Sequence, residues 1–279
     1  MKRIAIITNV TKDKGFVNAM RAAELLCGNA EIYMSEDCVL PLKTGINYVP
    51  YDDLWKYAEL MLVIGGDGTL LRVASQCAKN KIPALGINMG KVGFLTEVEP
   101  DDMEKAIECL LSGNYDIEER MLLKMNINDE GASYHALNDI VISKPEGIKI
   151  IGVDLYTDNE LVNHYVADGL IIATPTGSTG YSISAGGPVV DPRMNLYIAT
   201  PICAHMLAVR SAVLPSEKDI VIKLSREYSD NSAIISTDGE KQRFISTNDI
   251  VRISRSDYVF KLIRIGKSCF FDTLISKLS

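Results

Sequence analysis

The sequence predicts an α/β N-terminal domain with a parallel sheet, followed by a β-rich, β-sandwich-like C-terminal domain. In the first part of the chain, short apolar runs alternate with segments whose apolar residues recur every three or four positions, as strands and helices do in a parallel sheet. After about residue 119, apolar residues recur at every second position, which is typical of antiparallel strands. We therefore expect an α/β domain at 1–118 and a β-rich domain at 119–254, with a ligand cleft between them.

Each element of the α/β domain has its own signal. Short apolar runs predict buried strands at 4–7, 59–64 and 83–87. Helical spacing of apolar residues predicts two helices, one with the stripe Phe16, Met20, Ala23 and Cys27 and one with the stripe Leu70, Val73, Ala74 and Cys77. A third helix is expected to begin at Pro100 and to end at Gly113, because proline suits a first helical turn and glycine suits a helix end.

The β-rich domain shows the two-residue period in several segments. The clearest are 121–127, 220–224 and 251–253, followed by 259–265. Turn sequences at 129–131 and 237–239 separate such runs and predict hairpins.

Composition and charge exclude several classes of protein. The 279 residues include 29 lysines and arginines against 36 aspartates and glutamates, a net charge of −7, which argues against nucleic acid or a membrane surface as partner. The six cysteines form no CxxC pair and the three histidines share no metal-binding spacing, so no disulfide framework and no resident metal site are expected. No apolar run is long enough to span a membrane. We expect a soluble, cytoplasmic protein.

The segment Gly65-Gly66-Asp67-Gly68-Thr69 lies between an expected strand and an expected helix. Glycines leave the backbone uncovered and a helix N-terminus attracts anions, so Gly65, Gly66 and Thr69 are expected to form a phosphate loop. The segment matches neither the P-loop nor the GxGxxG pattern. The alternative is a glycine-rich turn in which Asp67 only caps the helix.

Two further segments are rich in glycine and small polar residues. The segment 88–95 follows the next expected strand and therefore faces the same sheet edge; its alternative is an ordinary strand–helix loop. The segment 167–182 contains hydroxyls, glycines, one tyrosine and one carboxylate that suit a nucleotide, and its alternative is a polar β-turn. Arg72, one turn after Gly68, is a candidate phosphate contact and Lys149 is a weaker one; both are otherwise solvated surface residues.

Taken in order, these segments resemble the NAD kinase family over nearly the whole chain. The matching motifs are Gly65 to Thr69, Asn88-x-Gly90-x-x-Gly93-Phe-Leu95, Leu137-Asn138-Asp139, and Asp168 to Ser182. The first motif also occurs in lipid kinases of the diacylglycerol kinase type, and phosphofructokinases contain a near relative of it, whereas the long last motif is specific to NAD kinases.

The resemblance implies a role for each matching residue. Asp67 corresponds to the family's proton acceptor, and Gly68 and Arg72 correspond to positions beside the nucleotide phosphates. Asn138 and Asp139 correspond to the pair that binds the adenosine ribose, and Asp168 to a carboxylate at the nicotinamide half of NAD. The adenine pocket corresponds to Thr179, Gly180, Tyr181, Ser182 and Ser184.

The resemblance also implies an oligomeric assembly, and the sequence differs from its relatives at a few positions. Family members are homodimers or homotetramers in which the residue matching Asp168 often serves a neighbouring subunit, and a C-terminal segment, here 255–279, returns to the first domain. Val166 replaces a basic residue of many relatives, with Lys149 or Arg72 as substitutes, and Asp139 replaces a glutamate of others. Glu240 stands where some relatives have an amide and is left out of the site.

The expected reaction is transfer of the γ-phosphoryl group of ATP to the 2′-hydroxyl of NAD, with Mg²⁺ on the donor phosphates. NAD and ATP are the expected small-molecule partners, and inorganic polyphosphate stays open as the donor. Two alternatives remain at this point: a lipid kinase that uses the first motif, and a non-catalytic NAD-binding regulator.

Overall fold

A computed structural model shows two compact units in the chain. It describes residues 1–41, 45–90, 93–147, 150–205, 210–228, 232–266 and 270–278. The α/β unit comprises Met1–Glu119 and Val259–Ser279, and the β unit comprises Arg120–Tyr258. Among the described residues, no helix is long and apolar enough to cross a membrane.

The elements are numbered along the chain. The strands are β1 (Lys2–Thr8), β2 (Ala30–Ser35), β3 (Ile46–Val49), β4 (Leu60–Gly65), β5 (Ala84–Asn88), β6 (Asp116–Ile127), β7 (Glu130–Ala136), β8 (Asp139–Ser143), β9 (Ile151–Thr157), β10 (Glu160–Ala167), β11 (Gly169–Ala173), β12 (Leu196–Ile202), β13 (Ala212–Pro215), β14 (Ile220–Leu224), β15 (Ala233–Thr237), β16 (Glu240–Ile245) and β17 (Val251–Arg264). The α-helices are α1 (Val17–Leu26), α2 (Leu54–Tyr57), α3 (Asp67–Lys79), α4 (Met103–Ser112), α5 (Tyr181–Ser184) and α6 (Phe270–Leu278). Short 3-10 turns occur at Lys14–Phe16, Tyr51–Asp53, Pro100–Asp102 and Thr176–Thr179.

The α/β unit is built on a parallel sheet with the order β3-β2-β1-β4-β5, and the C-terminal end of β17 pairs with β5. All of these neighbours run in the same direction. The loops that follow β1, β4 and β5 therefore leave the sheet at one edge, where ligands bind in open α/β sheets.

Helices cover both faces of this sheet. Helices α1 and α4 pack on the face that includes Ile4, Ile6 and Leu85. A Cβ at Gly86 would lie 3.1 Å from Leu70 Cδ1, so α3 packs on the opposite face, since successive strand residues point to opposite sides. The predicted stripe of α3 is confirmed, because all four of its residues are buried.

The predicted stripe of α1 is wrong in part. The residues of α1 that are buried are Ala19, Ala22, Ala23 and Leu26. Phe16 precedes the helix with a left-handed backbone (φ 57°), and Cys27 is an exposed residue beyond its end. Alanine has no large side chain, so a face of alanines lets the helix approach the sheet closely, and the larger Met20 lies at the margin of the core.

The β unit consists of two sheets that enclose one apolar core. The first contains β10-β9-β14-β17 with β6 and β7, and the second has the order β13-β12-β11-β8-β15-β16. Side chains of both sheets share the core, among them Leu123, Ile140, Val153, Ile172 and Ile222. The expected sandwich-like arrangement is thereby confirmed.

Tight turns join paired strands of the β unit. Asp238 and Gly239 have left-handed backbones (φ 47° and 81°) between the paired residues Thr237 and Glu240, as predicted. The other predicted turn is one residue too late: Asn128 and Asp129 form it, with φ of 58° and 54°. Asparagine and aspartate tolerate the left-handed region, so the later glycine is not needed at the turn itself.

Candidate functional site

Three loops lie at the carboxyl edge of the parallel sheet, which we define as the ends of β1, β4 and β5. The first loop (9–13) follows β1, the glycine loop (65–66) begins at the last residue of β4, and the third loop (89–96) follows β5. Residues 91–92 of the third loop are outside the described part.

Hydrogen bonds connect these loops to one another. The Asn9 backbone N–H donates to Ile64 O at 2.8 Å, and Asn9 Nδ2 donates to Thr69 Oγ1 at 3.1 Å. The Met89 backbone N–H donates to Gly65 O at 2.7 Å. Because each loop is bonded to a neighbour, the edge is a preformed surface rather than three independent loops.

Asp67, the first residue of α3, uses its carboxylate to hold the third loop. Oδ2 accepts a hydrogen bond from the Phe94 N–H at 2.9 Å. Oδ1 accepts from the Leu95 N–H at 3.2 Å, the Thr96 N–H at 3.0 Å and Thr96 Oγ1 at 3.0 Å. A carboxylate offers about two acceptor positions per oxygen, so a free position remains on Oδ2.

Gly93 explains why the third loop can approach so closely. A Cβ at this position would overlap Asp67 Oδ1 and would lie 2.6 Å from Thr96 Oγ1. Only glycine therefore lets the loop place its N–H groups around the Asp67 carboxylate.

The start of α3 presents backbone N–H groups to open space. The N–H groups of Thr69 and Leu70 donate to Gly66 O at 2.8 and 3.3 Å, whereas the first helical N–H groups of Asp67 and Gly68 have no intrahelical acceptor. Gly68 is exposed, and a Cβ built on it would meet no atom of the described residues within 4 Å. This end of the helix can accept an anion.

A second polar cluster lies in the β unit around Asn138 and Asp139, at the start of β8. The carboxylate of Asp238, from the turn between β15 and β16, accepts the N–H groups of Leu137 at 2.7 Å, Asn138 at 2.7 Å and Asp139 at 3.2 Å. Asp238 therefore fixes the backbone that presents the pair.

The segment 174–180 packs against the same backbone. Thr174 Oγ1 donates to Leu137 O at 2.6 Å, and a Cβ at Gly177 would overlap the Asn138 carbonyl. Gly180 leaves space beside both side chains of the pair: a Cβ there would lie 3.4 Å from Asn138 Nδ2. Asn138 Oδ1 is buried with no hydrogen-bond partner in the described structure, so an acceptor is available there.

Burial raises the pKa values of both carboxyl groups in this cluster. Burial, and then the charge of Asp238, raise the pKa of Asp139 to about 7. Burial also raises the pKa of Asp238, although three backbone N–H groups oppose that rise. Those N–H groups stabilise the charge on Asp238, so Asp139 has the higher pKa of the two carboxyls and keeps its proton to a higher pH.

Asp168 lies apart from that cluster. In the pairing of β8 with β11, Asp139 is opposite Ala173 and Ser143 is opposite Gly169, so Asp168 is beyond the other end of β11. Asp168 is five residues from Ala173, so at about 3.3 Å per residue the separation along the strand is roughly 17 Å. Asp168 Oδ1 forms an ion pair with Lys144 Nζ at 2.8 Å.

Comparison with known proteins identifies the family of this chain. Residues 53–115 match the ATP-NAD kinase N-terminal domain, and residues 137–265 match the ATP-NAD kinase C-terminal domain. An NAD kinase of Thermoanaerobacter sp. (strain X514) is 38% identical over 287 residues, covering 100% of this chain and 99% of the relative. The chain belongs to the NAD kinase family. An NAD kinase of Heliobacterium modesticaldum is 40% identical over 286 residues, with 100% and 99% coverage.

Solved structures agree with this assignment. The structure of yeast NADH kinase complexed with NADH superimposes with a TM-score of 0.88 at 24% identity, covering 100% of this chain and 87% of that one, which supports the fold. An NAD kinase from Archaeoglobus fulgidus in complex with ATP gives a TM-score of 0.75 at 26% identity, with 99% and 98% coverage. The expected NAD kinase activity is confirmed, and the lipid-kinase and non-catalytic alternatives are set aside.

The predicted NAD kinase residues fall into groups. In the α/β unit, Asp67 and Gly65, Gly66, Gly68 and Thr69 lie together at the carboxyl edge, with exposed Arg72 farther along α3. In the β unit, the structure places Asn138 and Asp139 beside Gly180, and Lys149 lies outside the described residues.

The adenine-pocket residues have different environments. Tyr181 is 48% exposed, and Ser184 is exposed as well. Thr179 Oγ1 donates to Thr176 O at 3.3 Å. Ser182 is fully buried, with its hydroxyl 3.0 Å from Thr200 Oγ1, so in this structure it supports the segment from inside rather than presenting a hydroxyl outward.

Three residues beside these groups carry no site signal in the sequence: Lys12, Lys144 and Asp238. The sequence predicts Asp238 only as part of a turn, and its bonds to 137–139 connect positions about a hundred residues apart. The position of β1 next to β4 was the available signal for Lys12, because the loop after β1 must then reach the glycine loop. Lys144 gives no sequence signal beyond its charge.

We expect the stability of this NAD kinase to fall between about pH 4 and pH 7. The folded state keeps the Asp139 proton that an unfolded chain releases near the ordinary value of 3.8, so unfolding becomes easier as the pH rises through this window. In Asp139→Asn the free energy of unfolding should fall less between pH 4 and pH 7 than in the wild type, and the difference should be roughly 2–4 kcal/mol.

Urea unfolding at several pH values measures this effect. Asp52→Asn is an isosteric change at an exposed site, and its free energy of unfolding should change with pH at the wild-type slope. Equal slopes for the wild type and Asp139→Asn would show that Asp139 is ionised throughout the window.

Proposed function

We propose that Asp67 accepts the proton of the adenosine 2′-hydroxyl of NAD as the γ-phosphoryl group of ATP is transferred to that oxygen. The observation that supports this role is the arrangement of its carboxylate, in which three N–H groups and one hydroxyl fix the orientation while Oδ2 keeps a free acceptor position. A fixed base can align the attacking oxygen with the donor phosphorus, which is the main requirement of phosphoryl transfer.

The donor phosphates are assigned to the glycine loop and the start of α3. Gly65, Gly66, Gly68 and Thr69 form the turn into α3, the N–H groups of Asp67 and Gly68 there have no intrahelical acceptor, and Arg72 adds a positive charge one turn farther along the helix. Thr69 is proposed to support this turn from within, because its N–H donates to Gly66 O and its hydroxyl accepts a hydrogen bond from Asn9.

Mg²⁺ is proposed to arrive with ATP rather than to occupy a resident site. Mg²⁺ prefers oxygen ligands and commonly binds substrate phosphates together with one or two carboxylates. Among the described residues, no group of three or more histidines, cysteines or carboxylates could hold a metal.

The β unit is proposed to bind NAD. Asn138 and the Asp139 carboxyl are proposed to bind the ribose hydroxyls, and the absence of a partner for Asn138 Oδ1 among the described residues supports this role. Thr179, Gly180, Tyr181 and Ser184 are proposed to line the adenine pocket, with Ser182 supporting them from inside.

Asp168 is proposed to contact the nicotinamide half of an NAD bound to a neighbouring subunit, in a homodimer or homotetramer. Its position at the far end of β11 from Asp139 supports a role away from the ribose-binding pair of its own subunit. Lys144, paired with Asp168, is proposed to supply the positive charge that Val166 lacks. We also propose a cytoplasmic location and a role in NADP synthesis. The five described cysteines are free thiols, which is consistent with a reducing compartment.

A coupled assay tests the proposed reaction. Purified protein, ATP, Mg²⁺ and NAD are mixed with an NADP-specific dehydrogenase and its substrate, and NADPH absorbance is followed. Signal with the wild type and its loss in Asp67→Ala is the expected result. A second arm with inorganic polyphosphate in place of ATP identifies the donor, and no signal with either donor would contradict the proposed reaction.

A further inference from the structure

Lys12, in the first loop, extends its ammonium group over the glycine loop. A Cβ at Gly66 would lie 2.9 Å from Lys12 Nζ, and a Cβ at Gly90 would lie 3.9 Å from it. The ammonium group is therefore close to the backbone of both the glycine loop and the third loop. A side chain at position 66 would displace it.

The backbone on both sides of Lys12 is held in place. The Lys12 N–H donates to Asn9 O at 3.0 Å and to Asn9 Oδ1 at 3.2 Å. The next residue, Asp13, is buried and accepts hydrogen bonds from Thr8 Oγ1, the Asn18 N–H and the Ala19 N–H, each at 3.0 Å. Lys12 thus projects from a fixed turn.

The charge of Lys12 is not used within the described structure. No described carboxylate or carbonyl forms an ion pair or hydrogen bond with its Nζ. The neighbouring carboxylate of Asp13 is occupied by α1, and that of Asp67 is bonded to the third loop. A positive charge without an internal partner, beside the N–H groups that open α3, favours an anion at the same place.

We propose that Lys12 binds the terminal phosphates of the nucleotide donor at the glycine loop. This inference rests on the proposed function and adds a residue to it. In the reaction, the bond between the γ-phosphorus and the oxygen bridging it to the β-phosphorus breaks, a bond from the γ-phosphorus to the 2′-oxygen forms, and the hydroxyl proton passes to Asp67. ADP leaves with the negative charge, which the ammonium group of Lys12 offsets without giving up a proton.

Lys12→Met tests the proposal, because it removes the charge and keeps most of the side-chain length. The expected result is a rise of about 10- to 100-fold in the KM for ATP, the loss typical of one charge-assisted contact, with the KM for NAD within about twofold of wild type. Lys12→Arg should recover part of the loss. Lys14→Met is the matched control. Lys14 is an exposed lysine two residues after Lys12, and its side chain is not near the Cβ positions built at Gly66 and Gly90.

A binding measurement without turnover gives a second readout. In calorimetric titrations, Lys12→Met should weaken ATP binding by a factor similar to the change in KM and should weaken AMP binding much less, because AMP lacks the terminal phosphates. Lys12→Gln replaces Lys12→Met in both measurements if the latter does not fold.

Two results would overturn the proposal. One is an ATP affinity of the charge-removing variant equal to that of the wild type, and the other is a rise in the KM for NAD instead of ATP. If the proposed function itself were wrong, the wild-type protein would give no NADPH signal. If only the role of Lys12 were wrong, the wild type would be active and Lys12→Met would bind ATP equally well.

Discussion

Asp67→Ala is expected to lower kcat by about 10²- to 10⁴-fold while leaving the affinity for NAD within about threefold of wild type. A positioned general base contributes about this much to a rate. The alanine variant also removes the acceptor of three backbone N–H groups and one hydroxyl, so its free energy of unfolding should fall by about 1–3 kcal/mol.

Asp67→Asn separates the two effects. The amide keeps an oxygen that can accept hydrogen bonds from Leu95 and Thr96, so more stability should remain, but it has no carboxylate to accept a proton. We expect kcat to be nearly as low as in Asp67→Ala. The measurements are steady-state kinetics, NAD titration and urea unfolding. A parallel fall of kcat and NAD affinity in both variants would make Asp67 a binding group instead of a base.

Gly93→Ala should impair activity through Asp67, although Gly93 has no side chain to take part in chemistry. The added methyl group would occupy the position of Asp67 Oδ1, so either the carboxylate or the third loop must move. Overpacking of this kind costs about 1–3 kcal/mol, which for a chain of this size is a fall in Tm of several degrees. We expect kcat to fall by at least about tenfold, because the orientation of the proposed base is lost.

The matched control for Gly93→Ala is Gly45→Ala. A methyl group added at Gly45 would meet no atom of the described residues within 4 Å, and the φ of Gly45 is outside the left-handed region, so the same chemical change should leave kcat and Tm near wild type. Wild-type kinetics in Gly93→Ala would show that the third loop adjusts without moving Asp67.

The carboxyl edge of the α/β unit was predictable from sequence because its parts are local. A run of apolar residues ends at Gly65, and the stripe of α3 begins a few residues later, so strand, loop and helix are visible in one short segment. The third loop follows the next strand in the same way. Parallel strands then bring both loops to one edge.

The features that escaped prediction depend on contacts between distant parts of the chain. The role of Asp238 follows from a sheet in which β15 lies next to β8. The periodicity of the sequence does not predict which strands pair. The distance of Asp168 from Asp139 follows from the antiparallel pairing of β8 with β11. The sequence predicts the wrong face of α1 because three of its four buried residues are alanines, whose small side chains give a weaker hydrophobic signal than Phe16 and Met20.

The dependence of Asn138 and Asp139 on Asp238 has a consequence for protein synthesis. A ribosome completes Leu137, Asn138 and Asp139 about a hundred residues before it adds the carboxylate that binds their N–H groups. A nascent chain that ends before the hairpin of β15 and β16 has every side chain proposed to bind the ribose, yet lacks the group that orders their backbone. The ability to hold NAD should therefore arise late in translation, so that incomplete chains do not sequester the dinucleotide.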